Sequence, residues 1–215
     1  MRLVSNNYSP VEYADLTDND WLGTNSQIKM TQATVSPGEN ATFTFDLIGP
    51  FGYRNSLFRF TPVLDGVVGL QDVGMQFRLI SPQPIYSYSV AAATGPPSTM
   101  SKGTVASTSL TLKNTSNFVW TNESNKIGGA HSVRLIMANP FYRSSPFYDL
   151  SDTRWLSSAQ IAMETPVVNP GENAVFNFRW KAPNQSGIYF ERFVPTVDGV
   201  AGMPDLGMGF FVNVQ

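Results

Sequence analysis

The chain carries one stretch of its own sequence twice. Residues 37–74 read PGENATFTFDLIGPFGYRNSLFRFTPVLDGVVGLQDVG, and residues 170–207 read PGENAVFNFRWKAPNQSGIYFERFVPTVDGVAGMPDLG. Equivalent residues lie 133 positions apart throughout, so no insertion or deletion separates the two copies. A duplication that keeps its register over this length predicts one structural unit that is used twice.

Apolar residues alternate with mostly polar ones in many segments. In the second copy Ala174, Phe176, Phe178 and Trp180 show this pattern, and residues 41–47 repeat it in the first copy. Alternation of this kind predicts strands with one buried face, as in antiparallel sheets. Pro-Gly and Asp-Gly turn signals separate the segments. Many short strands joined by turns predict an all-β chain built of β-sandwiches.

The two copies differ in what precedes them. Residues 80–84 (ISPQP) form the natural boundary, so we expect an N-terminally incomplete domain at 1–83 and a complete domain at 84–215. The second domain has additional strand-like segments at 85–92 and 104–113, and in the latter Leu110 and Leu112 are expected to point inward. The first domain has no counterpart of these opening strands.

A sandwich without two strands should expose an apolar face and unpaired backbone edges. Three explanations are open at this point. The chain is a piece of a longer tandem array, or another subunit donates the strands, or residues 85–92 fold back onto the first domain. Each explanation predicts a different partner for the exposed face.

Composition narrows the classes of function. Charged residues make up 14% of the chain and the net charge is −2, with no basic run, which argues against nucleic-acid binding. The absence of cysteine excludes disulfides, thiol catalysis and cysteine-based zinc sites. No apolar run approaches the roughly 20 residues of a membrane span, so we expect no membrane insertion. The N-terminus lacks the apolar stretch of a signal peptide, so we expect a mature or excised piece, or an intracellular protein.

No constellation of residues points to catalysis. Glu191 lies in an alternating strand and is replaced by Phe58 in the other copy, so it has no second carboxylate of the kind that glycosidases need. His131, the only histidine, has no nucleophile motif around it. We therefore expect a protein that is not an enzyme and needs no cofactor.

Several motifs resemble a known family. Residues 114–120 (NTSNFVW) are similar to the Asn-x-Gly-x-x-x-Trp opening of the immunoglobulin-like domain of the next-to-BRCA1 autophagy receptor, with Ser116 in place of glycine. Residues 143–148 (RSSPFY), Trp155 and residues 187–193 (GIYFERF) resemble, more closely, tandem repeats of bacterial surface and cell-wall-associated proteins. The resemblance implies two tandem immunoglobulin-like β-sandwiches, the first lacking its opening strands, in a non-catalytic role.

The aromatic residues are the first candidates for a binding site. Trp120, Trp155 and Trp180 are expected in the core, since Trp180 continues a buried alternation and Trp155 has a repeat equivalent. A predicted loop carries residues that we expect at an exposed binding surface. These candidates are Tyr142, Arg143, Phe147 and Tyr148.

Acidic turns are the second candidates. Asp65, Asp72, Asp198 and Asp205 recur in the pattern Asp-Gly-Val-x-Gly-x-x-Asp-x-Gly, and their oxygens are ligands of the kind that Ca²⁺ takes. Asp-Gly is also an ordinary tight turn whose carboxylate bonds nearby backbone N–H groups, and this interpretation is favoured. We therefore predict no metal site.

The combined prediction is a structural repeat segment of a surface-exposed prokaryotic protein, such as a stalk, an adhesin or an extracellular filament subunit. Its expected partners are neighbouring copies or adjacent repeats, and strand donation between subunits is one of the open ways in which they would join. The alternative is a binding module for peptidoglycan or another glycan, or for a protein. An intracellular cargo-binding module, by analogy with the autophagy receptor, fits the low charge content poorly.

Overall fold

The computed structural model describes residues 1–5, 21–22, 27–46, 54–125 and 131–215. Every regular element within these ranges is a β-strand, so the chain is all-β as the alternation predicts. The described residues divide into two compact units, unit 1 within 1–83 and unit 2 within 84–215. None of the described segments is a helix long and apolar enough to cross a membrane.

Unit 1 is built around a single described sheet. Its strands are β1 (Arg2–Ser5), β2 (Trp21–Leu22), β3 (Gln27–Lys29), β4 (Arg54–Leu64), β5 (Val68–Gly69) and β6 (Gln76–Ser81). The strand order is β2-β3-β1-β4-β5, and β6 also pairs with β4. All of these pairings are antiparallel.

Unit 2 is a β-sandwich with more strands. They are β7 (Tyr88–Thr94), β8 (Thr99–Met100), β9 (Val105–Asn114), β10 (Trp120–Thr121), β11 (Val133–Ala138), β12 (Trp155–Ser157), β13 (Gln160–Ala162), β14 (Val167–Val168), β15 (Asn173–Lys181), β16 (Gly187–Val197), β17 (Ala201–Gly202) and β18 (Gly209–Val214). The larger sheet has the order β12-β13-β11-β16-β18-β8, with β17 paired to β16. The second sheet is β15-β9-β7, and β10 pairs with β14.

The core of unit 2 lies between its two sheets. Leu110 and Leu112 of β9 are fully buried, as predicted, and so is Phe176 of β15. The Trp180 ring of β15 lies 5.8 Å from the ring of Phe193, which belongs to β16 in the opposite sheet. Each fully buried side chain of this size contributes about 1.5–3 kcal/mol. The core prediction is also confirmed for the other two tryptophans of this unit, Trp120 and Trp155.

The strands of unit 1 repeat half of unit 2. Strands β3, β4, β5 and β6 begin and end 133 positions before β13, β16, β17 and β18. Strands β1 and β2 hold the places of β11 and β12 in the sheet order. Among its described residues, unit 1 has no counterpart of β7, β8 or β9. The duplication therefore gives the two units one sheet in common, and the second sheet is described only in unit 2.

One expectation is wrong, and one of the open explanations is excluded. Residues 41–46 have the alternation of a strand, but they form no regular strand, whereas the equivalent β15 pairs with β9 over nine residues. The sequence at 85–92 does not fold back onto unit 1, because β7 pairs with β9 inside unit 2. Both differences have one cause, since a strand forms where a partner strand can share its hydrogen bonds.

Candidate functional site

The predicted loop site lies between β11 and β12. Its aromatic residues differ in how far they are buried. Phe147 is 0% exposed, and its ring packs 4.8 Å from Trp180 and 5.3 Å from Tyr189. Tyr148 is partly buried and meets Trp155 edge-on at 5.5 Å. The expected exposure is therefore wrong for Phe147, because its apolar ring is removed from water by packing against two core aromatic rings.

Arg143 anchors this loop to the neighbouring strand. Its guanidinium donates to Glu191 Oε1 at 2.9 Å and to the backbone carbonyls of Phe190 and Ala138 at 3.1 and 3.3 Å. Glu191 is buried, and burial raises the pKa of its carboxyl although Arg143 hydrogen-bonds to it. These bonds engage the Arg143 side chain with its own domain, so its observed role is structural.

Sequence reasoning missed this ion pair although a signal was present. Position 191 is Glu in one copy and Phe58 in the other, and Phe58 is a buried core residue. A carboxylate at a buried position requires a cation or several donors nearby. The partner, Arg143, lies 48 positions away in a loop, so no local pattern could have selected it.

Tyr142 is the predicted residue that remains available at the surface. It is 51% exposed and has a left-handed backbone, with φ at 61°. Its N–H donates to the Met137 carbonyl at 2.8 Å, which fixes the loop against the end of β11. Its neighbour Phe141 is also exposed. The loop thus presents two adjacent aromatic side chains, and the binding role of Tyr142 stays a prediction.

The four acidic turn residues each form an ion pair with an arginine. The pairs are Arg2 with Asp65 (2.6 Å), Arg59 with Asp72 (2.9 Å), Arg134 with Asp198 (2.9 Å) and Arg192 with Asp205 (2.9 Å). Asp72 and Asp205 also accept from backbone N–H groups two residues on, at 2.8 and 2.9 Å. Within the described ranges, no cluster of three acidic or histidine residues could hold a metal. The carboxylates thus stabilise the turns of both units in matching ways.

The motif that carries the family resemblance forms a buried hydrogen-bond network. Asn114 donates through its side-chain amide to the carbonyls of Phe118 and Val168, at 2.9 and 3.1 Å. Ser116, which replaces the usual glycine, donates to Asn114 and accepts from the Trp120 indole N–H at 2.9 Å. The serine therefore supplies an acceptor for a fully buried tryptophan.

Unit 1 presents an incompletely covered apolar face, which we call the open face. It consists of Phe43, Phe45, Phe77 and Leu79, all partly buried against the core of unit 1. That core comprises Leu3, Trp21, Ile28, Phe58 and Phe60. The rings of the open face belong to one cluster, since Phe77 stacks on Phe58 at 4.9 Å and lies 6.3 Å from Phe45.

Three of the four equivalent positions in unit 2 are buried. Phe176, Phe178 and Val212 hold the places of Phe43, Phe45 and Leu79, and all three are buried. Phe210 holds the place of Phe77, and a Cβ added at Gly95, between β7 and β8, would overlap its ring. The segment from β7 to β9 is therefore the cover, and its close approach at this point requires glycine.

Comparisons with known proteins give a likeness of fold only. No protein-family model and no curated protein matches the sequence. Among solved structures, the chain is similar to the CARDB domain of a Pyrococcus furiosus protein in solution, with 17% identity, a TM-score of 0.32 and coverage of 61% of this chain and 94% of that one. The crystal structure of that domain with di-metal ions gives 18% identity, a TM-score of 0.33 and coverage of 61% and 89%. At these scores the likeness carries no argument about a site.

Proposed function

We propose that the chain is a non-catalytic structural repeat segment of a surface-exposed prokaryotic protein, such as a stalk, an adhesin or an extracellular filament subunit. The observation that carries this proposal is the open face of unit 1, which has the composition of a core and matches a covered face in unit 2. A face of this kind suits contact with another polypeptide.

Other features support the same proposal. The motifs at 143–148 and 187–193 resemble repeats of bacterial surface proteins, and the chain is poor in charged residues. The side chains that first suggested chemistry have structural partners: Glu191 has Arg143, and the acidic turns have their own arginines. These pairings favour a structural role over an enzymatic one.

Assembly and location can be tested directly. We expect the purified chain to form concentration-dependent oligomers in sedimentation velocity, and ordered arrays in negative-stain microscopy. Antibodies raised against the chain should label intact cells of the source organism on the outside. A chain that stays monomeric at all concentrations, together with label confined to the cell interior, would contradict the proposal.

A second candidate function is binding of a cell-wall glycan by the loop between β11 and β12. The observation that favours it is the exposure of Phe141 and Tyr142 side by side, since exposed aromatic rings can stack on sugars. Sedimentation with purified cell wall tests it, with Tyr142→Ala expected to reduce retention. Ile188→Ala, at another highly exposed apolar side chain, is the matched control. Equal retention of both variants would discard this candidate.

A further inference from the structure

We propose that the backbone edge at residues 41–46 of unit 1 binds an extended strand from another repeat of this type. This inference rests on the proposed function and specifies its contact. The incoming strand would run antiparallel to residues 41–46 and place two apolar side chains, at alternate positions, on the open face. It would hold in unit 1 the position that β9 holds in unit 2.

The hydrogen bonds of Thr42 show which side of this segment is open. Its carbonyl accepts from Thr31 N at 2.8 Å, and its N–H donates to Gln32 Oε1 at 2.9 Å. Unit 2 has the same two bonds at Val175, so the segments match on this side. In an extended chain successive residues direct their backbone groups to opposite sides. The backbone groups of Ala41, Phe43 and Phe45 therefore face the other side, where the described residues supply no partner strand.

Unit 2 provides the register of the missing strand. There Ala174 lies opposite Leu112, Phe176 opposite Leu110 and Phe178 opposite Thr108. Transferred to unit 1, the two leucines would lie opposite Ala41 and Phe43. A strand of this pattern supplies hydrogen bonds to the edge and apolar cover to the open face, neither of which the described strands of unit 1 provide.

The sequence of the occupant follows from the duplication. The open face keeps phenylalanine at the equivalents of Phe176, Phe178 and Phe210, so it fits the side chains that already cover those residues. The β9 of the same chain is engaged on both edges, by β15 and β7. The natural donor is therefore the corresponding strand of another repeat that carries the Leu-x-Leu pattern of residues 110–112.

A disulfide trap tests the register on the full chain. The chain has no cysteine, so Thr44→Cys creates a unique thiol on an exposed residue. A peptide of residues 104–115 with Ser109→Cys places its thiol opposite position 44, because Ser109 lies opposite Asn177 in unit 2. In redox buffer we expect a disulfide with this peptide and roughly tenfold less with the Ser107→Cys peptide, whose thiol would lie too far along the strand.

Hydrogen exchange of the unaltered chain provides the second measurement. The cysteine-free peptide should slow exchange of the amides at 41–46, with no change at 173–181. A peptide with Leu110→Asp and Leu112→Asp should bind at least about tenfold more weakly, because it loses both buried leucines. Equal trapping by the two cysteine peptides, or binding without protection at 41–46, would overturn the inference.

These outcomes are separable from the proposed function. A chain that assembles on cell surfaces without protection at 41–46 would retain the function and lose this contact. Peptide binding in the predicted register by a protein that is found inside cells would retain the contact and lose the function.

Discussion

The two units share one sheet and differ in what covers it. Val197 of β16 is fully buried, whereas its equivalent Leu64 in β4 is 41% exposed. Both belong to strands of the same length at matching positions in the sheet order. The difference lies outside these strands, since β7 to β9 and the β10–β14 pair are described only in unit 2. Burial of an apolar pattern is thus decided by its partners as much as by the pattern itself.

The same comparison applies to the backbone. Residues 41–46 and β15 carry the same alternation, and each accepts an equivalent hydrogen bond from the preceding turn. Among the described residues, only β15 has a neighbour, β9, on its other side, and only β15 is a regular strand. Alternating sequence is therefore sufficient to orient side chains, but a ladder partner is needed to complete a strand.

The largest expected effect comes from truncating equivalent phenylalanines. Phe176→Ala should lower the free energy of unfolding of unit 2 by about 3–5 kcal/mol, because it leaves a cavity in a closed core. Phe43→Ala should cost unit 1 only about 1–2 kcal/mol, because this ring is already partly exposed. Urea titrations followed by hydrogen exchange report the two units separately. Equal losses would mean that the open face is covered after all.

Removal of the buried amide should affect one unit only. Asn114→Ala takes a donor from the buried carbonyl of Val168 and an acceptor from Ser116. We expect a loss of about 1–3 kcal/mol in unit 2. Exchange rates in β3 and β4 of unit 1 should stay unchanged, and their acceleration would contradict the independence of this network. Asn122→Ala, at a partly buried asparagine of the same unit, is the control.

The pH dependence of stability should also differ between the two units, because Glu191 in unit 2 corresponds to Phe58 in unit 1. Burial raises the pKa of Glu191 above its ordinary value of 4.5, so the folded chain holds this proton to a higher pH than the unfolded chain. Its contribution to stability is fully present below pH 4.5 and is lost as the pH rises through the folded pKa. Between pH 4 and 8, the free energy of unfolding of the Glu191→Gln variant should decline less steeply than that of the unaltered chain. If the variant and the unaltered chain show the same slope against pH, Glu191 is not the cause of the decline.

Asp149 should affect the pH dependence of stability in the direction opposite to Glu191, and at lower pH. The hydrogen bond from Ser151 and the nearby Arg179 lower its pKa below the ordinary 3.8. Its contribution is therefore present above pH 3.8 and is lost as the pH falls through the folded value. The window of Asp149 lies below that of Glu191, so the Asp149→Asn variant serves to separate the two effects.

The smallest effect is expected at the acidic turns. Asp198→Asn should cost unit 2 at most about 1 kcal/mol, and Asp65→Asn should cost unit 1 less, because the Asp65 pair is more exposed to solvent. Addition of Ca²⁺ or of a chelator should leave the melting temperature unchanged, since each carboxylate already has an arginine partner. A calcium-dependent rise that Asp198→Asn abolishes would restore these turns as a metal site.

The sequence was sufficient for features that follow from periodicity and duplication. Alternation placed Leu110, Leu112 and Trp180 in the core, and the constant offset identified the strands that the two units share. The sequence was insufficient where contacts between distant residues decide whether a side chain is buried or a strand is paired. The burial of Phe147 depends on its contact with Trp180, and the Arg143–Glu191 pair joins a loop to a strand 48 residues away. The irregular segment at 41–46 depends on a strand that is not described in unit 1.

The order of synthesis has a further consequence for the edge at residues 41–46, which pairs with no described strand of unit 1. On the ribosome, β9 emerges after residues 41–46 and about 60 residues before its own partner β15. Until β15 has been made, the nascent β9 meets an edge with the same alternation as the strand it awaits. We infer that residues 41–46, which are made early, transiently compete for β9 with β15, which is made late. Competition of this kind causes misassembly in repeat proteins. A truncated chain of residues 1–169 should protect the amides at 41–46, and the absence of such protection would refute this pathway.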